Sequence, residues 1–168
     1  MLILYIIMNI TYKNKIKIDG QSLTPLQTSV EPNVSYKSDP TKLYTLILTD
    51  PYAVKGNHVH WTVINIPGSD LAAGQTILPY VGPAPPKNSG VHIYSFLLFP
   101  QTGLQKTIEL KDRNIPLKKW LKMLGVRVEP VYHSTFKSQF SGGRSRRRMR
   151  RGVVRCVKTR KYIFRKGT

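Results

Sequence analysis

The sequence predicts a mainly β, sandwich-like domain with one peripheral helix, and three observations carry that expectation. Leu43–Thr49 (LYTLILT), His60–Ile66 (HWTVINI) and Val91–Phe99 (VHIYSFLLF) are rich in β-branched and aromatic residues, which suit a pleated, packed surface. From Gly74 to Gly90 proline and glycine dominate. Proline lacks a backbone donor and fixes φ, so this stretch is neither regular helix nor a central strand. One short segment, residues 117–124, repeats its apolar side chains with a helical period.

Taken in order, residues 12–18 (YKNKIKI) alternate polar and apolar toward their end and predict an edge strand, closed by the Asp19-Gly20 turn signal. Gln21 to Thr41 mixes Ser, Thr, Pro and Asn and is expected to be loop with short extended pieces. Leu43–Thr49 is mostly apolar, as befits a strand covered on both faces. Pro51 to Asn57 is loop, and the His60–Ile66 strand ends at Pro67-Gly68. Gly74 to Gly90 is then an ordered loop or a linker, and Val91–Phe99 a third strand. Thr107–Asp112 (TIELKD) predicts a weaker strand. Leu117, Trp120, Leu121 and Leu124 follow an i, i+3, i+4, i+7 spacing, with Pro116 at the helix start and Gly125 just past its end. Lys118, Lys119 and Lys122 fall on the opposite face. Val131–Phe136 is the last strand candidate.

A chain of 168 residues suits one domain and an appendage. The charge divides it there: residues 141–168 hold 12 of the 27 lysines and arginines and none of the 8 acids, within a net charge of +19. The expected boundary leaves a globular body, 1–140, whose start could also be Met8, and a tail, 141–168. SGGRSRRRMRRG (141–152) has no apolar periodicity and cannot form a core, which predicts a flexible segment. Arg144, Arg146, Arg147, Arg148, Arg150 and Arg151 are its candidate polyanion contacts. They could neutralise the phosphates of nucleic acid, meet an anionic membrane or serve as a nuclear import signal, the alternative being a merely solvating tail.

Cys156 is the single cysteine, so no disulfide can form within the chain, which fits a reducing compartment. The opening MLILYIIM is apolar but too short to span a bilayer, and it lacks a basic start and a small-residue cleavage site. A secretory leader is therefore not expected. The cytoplasm is the expected location, with the nucleus or a nucleoprotein particle as alternatives.

Chemistry gathers in the middle of the chain. Asp50 ends one strand, His60 opens the next and His92 opens a third; Tyr94, two residues on, projects from the same face as His92. Between the last two strands lies the loop Tyr80–Pro86. A carboxylate, two imidazoles, a phenol and a rigid loop with open backbone amides could form an anion pocket. A histidine at a strand end is as commonly a cap or a surface residue, so spacing leaves both options open. His60 or His92 could serve as a general base, but no nucleophile motif such as G-x-S-x-G accompanies them. Asp50, His60 and His92 would also suit zinc by ligand type.

Four segments, LTDPYAV (48–54), VHWTVINIPG (59–68), YVGPAPP (80–86) and SGVHIYSFLLF (89–99), stand in the order and spacing of a known pattern. Together they resemble the phosphatidylethanolamine-binding protein family, also called the Raf kinase inhibitor protein family, with a fainter likeness over EPVYHSTFKSQF (129–140). The resemblance implies a two-sheet β fold with one or two short helices and a cavity for a phosphate or other small anion. By it, Asp50, His60, Gly82, Pro85, Pro86, His92 and Tyr94 are the ligand-binding residues. It implies a phosphorylated small ligand or phospholipid headgroup, and a protein partner that the module regulates. It calls for no catalytic residue, metal or cofactor. The chain departs from the family pattern at Tyr52 (usually Asp), Val54 (usually Pro), Ala84 (often Gly) and Ile93 (commonly Arg). The family's C-terminal amphipathic helix is not recognisable, the basic tail standing in its place.

Overall fold

This computed structural model describes residues 6–109, 112–126 and 129–140. The first hydrophobic alternation begins earlier than expected: β1 is Met8–Tyr12, with Met8, Ile10 and Tyr12 all buried. It is followed by a 3-10 turn at Lys13–Lys15 and by the two-residue β2, Ile16–Lys17. The edge strand expected over 12–18 is thus corrected to a strand, a turn and a short return. Lys15 takes φ 60° in that turn, a left-handed conformation that breaks a strand. With β3, Asn33–Tyr36, these form an antiparallel sheet of order β2-β1-β3.

The three strongly apolar runs become the centre of a second, five-stranded sheet. Its strands are β4 (Leu43–Asp50), β5 (His58–Pro67), β6 (Gln75–Leu78), β7 (Val91–Pro100) and β8 (Tyr132–Gln139), in the order β6-β5-β4-β7-β8 and antiparallel throughout. β4 lies between β5 and β7 and is buried on both faces, as its near-continuous apolar run requires. β6 comes from the proline-rich stretch, where it occupies an edge; Pro79 ends it.

Each face of the large sheet has its own core. Leu46, Leu48, Trp61, Tyr94, Phe96 and Phe136 pack against Met8, Ile10 and Tyr12 of the small sheet. Ile47, Val59, Ile64, Leu97 and Phe99 pack against Trp120 and Leu121 of the helix α1, Leu117–Met123, and against Leu124 at its C-terminal cap. The helix starts after Pro116, and Gly125 past its end takes φ 61°, the left-handed position that glycine fills without strain. Trp120 donates its indole N–H to Thr62 Oγ1 at 3.2 Å, so the helix is tied to β5 by a polar bond inside the apolar layer. The strand expected at 107–112 does not form in the described part of that segment; Gln75 Nε2 donates to Thr107 Oγ1 there in place of a strand ladder.

Two register shifts interrupt the pairing of β4 with β5. In one, Leu48 faces Trp61 and Thr49 faces Val59, leaving His60 as the extra residue of a β-bulge. In the other, Asn65 takes φ 56°, a conformation asparagine tolerates better than most residues. Its side chain exchanges bonds with Gln101 and Gln105.

Candidate functional site

A cavity of about 450 Å³ opens where the C-terminal end of β4, the start of β5 and the start of β7 meet. Asp50, His60, Gly82, Pro85, Pro86, His92 and Tyr94, all seven residues expected from the sequence, line it. The structure adds Lys55, His58 and Asn114, together with the apolar Val54, Val81 and Ala84.

The bulge explains how the histidines gather. In an unbroken strand His58 and His60 would share one face and Trp61 would point away. With His60 as the extra residue, Asp50 and His58 face each other in register, and Trp61 still reaches the core beside Leu48. His60 then stands edge-on to both neighbours, 4.7 Å from His58 and 5.2 Å from Tyr94 between ring centroids.

Asp50 and His92 form one wall. His92 Nδ1 lies 2.6 Å from Asp50 Oδ2, with both side chains almost wholly buried. The other carboxylate oxygen accepts the Tyr52 backbone N–H at 2.9 Å. His92 Nε2 is 2.9 Å from Ser89 Oγ, and Ser89 donates its hydroxyl proton to Pro86 O at 2.7 Å. A carbonyl only accepts, so the hydroxyl oxygen is left to receive from Nε2–H. All three bonds are made at once when the ring carries both protons and the carboxylate is ionised.

His60 has the opposite character. Its Nδ1 is 2.8 Å from Val81 O, which fixes Nδ1 as the protonated nitrogen and leaves Nε2 with a lone pair. Burial resists its protonation and pushes its pKa down to about 4, the bond to Val81 opposing that shift in part. Tyr94 supplies a donor: burial, reinforced by the Asp50 charge, raises its pKa, so its O–H stays on. That hydroxyl makes no hydrogen bond among the described residues. The backbone N–H groups of Gly82 and Ala84 are likewise unspent there.

The loop that carries them is held from behind. Tyr80 donates to Thr28 O at 2.7 Å and is met by Tyr12 Oη at 3.0 Å. A Cβ on Gly82 would lie 2.6 Å from Thr28 O and 3.1 Å from Ser29 Cα, so only glycine lets the loop lie on the 24–29 turn. Arg113 clamps the other side, donating to the carbonyls of Val59, His60 and Pro79 at 3.2, 3.0 and 2.8 Å.

His58 was legible as the first histidine of an H-x-H pair on a strand. Ser89, Arg113 and Asn114 carried no such signal, because loop contacts place them. Among the described residues no group of three or more His, Cys, Asp or Glu side chains is arranged to hold a metal ion; His60 and the Asp50–His92 pair do not converge as the zinc alternative would need.

The phosphatidylethanolamine-binding protein profile matches residues 8–130, spanning the small sheet, strands β4 to β7 of the large one, the cavity residues and the helix. The chain belongs to that family. The chain is also similar to proteins with quite different names. The chain is 35% identical over 117 residues to "Putative odorant-binding protein A5" of Drosophila melanogaster, covering 63% of this chain and 56% of that one. It is 36% identical over 100 residues to the 26 kDa secreted antigen of Toxocara canis, covering 55% of this chain and 38% of that one. The chain therefore spans about half or less of the length of these relatives. Among solved structures, carboxypeptidase Y inhibitor complexed with its cognate proteinase superposes with a TM-score of 0.71 at 22% identity, over 82% of this chain and 84% of that one. The phosphatidylethanolamine-binding protein of Plasmodium vivax gives 0.65 at 23%, over 81% and 86%. At these identities the likeness establishes the fold.

Proposed function

We propose that this chain is a non-enzymatic binding module whose cavity holds a phosphate-bearing or zwitterionic small ligand, such as a phospholipid headgroup. The observation that carries it is the division of roles around one cavity. Asp50, His92 and Ser89 spend their polar atoms on bracing each other, while the Tyr94 hydroxyl and the Gly82 and Ala84 amides are unspent. Anionic oxygens are the acceptors such donors suit. The Nε2 lone pair of His60 suits an ammonium hydrogen, so phosphoethanolamine matches both. Val54, Val81 and Pro86 at the rim suit apolar parts of a larger ligand. Ser89, the serine beside His92, turns its hydroxyl proton to Pro86 O and not to the imidazole, which supports bracing and binding over catalysis. Regulation of a protein partner extends this reading, since a family-fold neighbour is named as an inhibitor in complex with its proteinase.

The test is a two-dimensional NMR titration of the full chain with phosphoethanolamine, beside His92→Ala. Saturable shifts at Gly82, Ala84 and Tyr94, lost in the variant, are expected. A folded protein with no shifts at millimolar ligand would remove this headgroup from consideration.

A second reading rests on the tail, which lies outside the described residues. Twelve basic residues and no acid in 141–168 support binding to nucleic acid or another polyanion. Its affinity would fall steeply with salt and vanish on deleting 141–168; retention in the truncated chain would exclude it.

A further inference from the structure

The cavity holds a histidine whose position is set independently of the Asp50–His92 brace. His58 faces Asp50 across the β4–β5 pairing and lines the cavity, half-buried. Its Nδ1 is 2.9 Å from Asn114 Oδ1. The amide cannot be turned round, because Asn114 Nδ2 donates to Asp112 Oδ1 at 2.8 Å and the Asn114 backbone N–H donates to the same oxygen at 2.9 Å. Nδ1 of His58 is therefore the protonated nitrogen, spent on Asn114, and Nε2 is the nitrogen left for the cavity. Unprotonated, Nε2 offers a lone pair, as His60 does beside it. Protonated, it offers an N–H donor and a positive charge.

We propose that His58 is a specificity-determining contact of this cavity, whose protonation at Nε2 strengthens the hold on an anionic oxygen as pH falls. This rests on the ligand-binding reading above and assigns its regulation to one residue. Histidine is the side chain whose charge ordinarily changes between about pH 5 and 8. The charged and titratable groups around His58 are Asp50 from β4, Lys55 from the β4–β5 loop, His60 on its own strand and Asp112 from the segment before α1, with Arg113 bonded to the His60 carbonyl behind them. Of the other two cavity histidines, His60 has Nδ1 spent on Val81 and is buried among aromatic rings, and His92 has both nitrogens spent on Asp50 and Ser89. His58 alone of the three pairs a fixed ring with a partly exposed position and an uncommitted nitrogen.

The probe must not titrate itself, so glycerophosphoethanolamine serves, with sulfate as a simpler anion; the charge of each is constant over the histidine range. Binding of each to the full chain is measured by calorimetry at about pH 5.5 and 8, for the wild type and for His58→Gln. Glutamine can still donate to Asn114 but cannot take up a proton. The wild type is expected to bind about tenfold more tightly at the lower pH, a coupling of ordinary size, and the variant to show less than about a twofold change. By NMR, the His58 ring should titrate at higher pH with saturating probe than without, since proton and anion binding are reciprocal. Binding that is equal at both pH values, or a dependence that survives in His58→Gln, overturns this inference and leaves the binding reading intact. Absence of binding by either probe at either pH, with the fold intact, overturns both.

Discussion

Asp50 and His92 stand 42 positions apart in the chain, yet Oδ2 of one and Nδ1 of the other lie 2.6 Å apart in a nearly water-free wall. Such a pair is costly to break from one side, because the remaining partner is left buried with an unsatisfied polar atom. Asp50→Asn and His92→Ala are each expected to lower the unfolding free energy by about 3 kcal/mol. The double variant should lose clearly less than the sum, with a coupling of about 1–3 kcal/mol. Urea unfolding of the four proteins at neutral pH measures it. Strict additivity would mean that the two side chains contribute independently.

The Gly82 loop makes a second, purely steric prediction. A methyl group on Gly82 meets Thr28 O at 2.6 Å, and the obstacle is backbone. Gly82→Ala should therefore lift the loop off the 24–29 turn and cost about 1–3 kcal/mol, the range for overpacking. Because Tyr80 and Ala84 flank the same loop, ligand shifts at Ala84 should weaken with it. Thermal unfolding and the headgroup titration read the two effects separately. An unchanged midpoint would show that the turn gives way freely.

Much of the fold and of the cavity is legible in the sequence, and the reasons for the gaps are physical. Alternation and β-rich composition located β4, β5 and β7, because strands packed on both faces must be apolar nearly throughout. Pro116 and Gly125 bracketed the helix by local chain chemistry alone. The seven cavity residues were placed by motif resemblance, their spacing by itself having left a surface role open. What escaped depends on register. The bulge at His60 leaves no mark on local composition, yet it decides that His58, His60 and Trp61 all serve one face. The apparent 12–18 alternation misled for a related reason. Its polar members occupy a tight turn, while the buried positions Met8, Ile10 and Tyr12 belong to the preceding strand.

Arg113 is the clearest residue that no local pattern could reveal. Its guanidinium meets three carbonyls, from Val59, His60 and Pro79, and its own carbonyl accepts the Val59 N–H at 2.9 Å. It thus holds the bulge and the start of the loop together. Bonds from a charged donor are worth about 1.5–3 kcal/mol each, but this side chain is partly exposed, so Arg113→Met is expected to cost about 2 kcal/mol in all. Lysine has one nitrogen in place of the fork and should rescue little of that loss. Amide hydrogen exchange adds a local reading: Val81 N–H, bonded to His60 O at 2.9 Å, should exchange faster in the variant relative to Phe96. Uniform change across the sheet would deny Arg113 this local role.

His60 predicts how stability responds to acid. In an unfolded chain a histidine takes up its proton near pH 6.5, whereas burial holds the folded His60 near 4. Between those values the unfolded chain binds a proton that the folded chain refuses, so unfolding becomes easier as pH falls. Above about pH 7 both forms are neutral and the effect vanishes. The full difference across the window is about 3 kcal/mol, at 1.36 kcal/mol per pH unit of displacement. His60→Phe keeps a ring in place but loses the bond to Val81 O, so it starts about 1 kcal/mol less stable at pH 7. Since it has no proton to refuse, its disadvantage should shrink and then reverse on approaching pH 4, while Asp50, His92 and the other titrating groups cancel between the two proteins. Urea midpoints at about pH 7, 5.5 and 4 draw the two curves. Parallel curves would show that His60 takes up its proton as readily folded as unfolded.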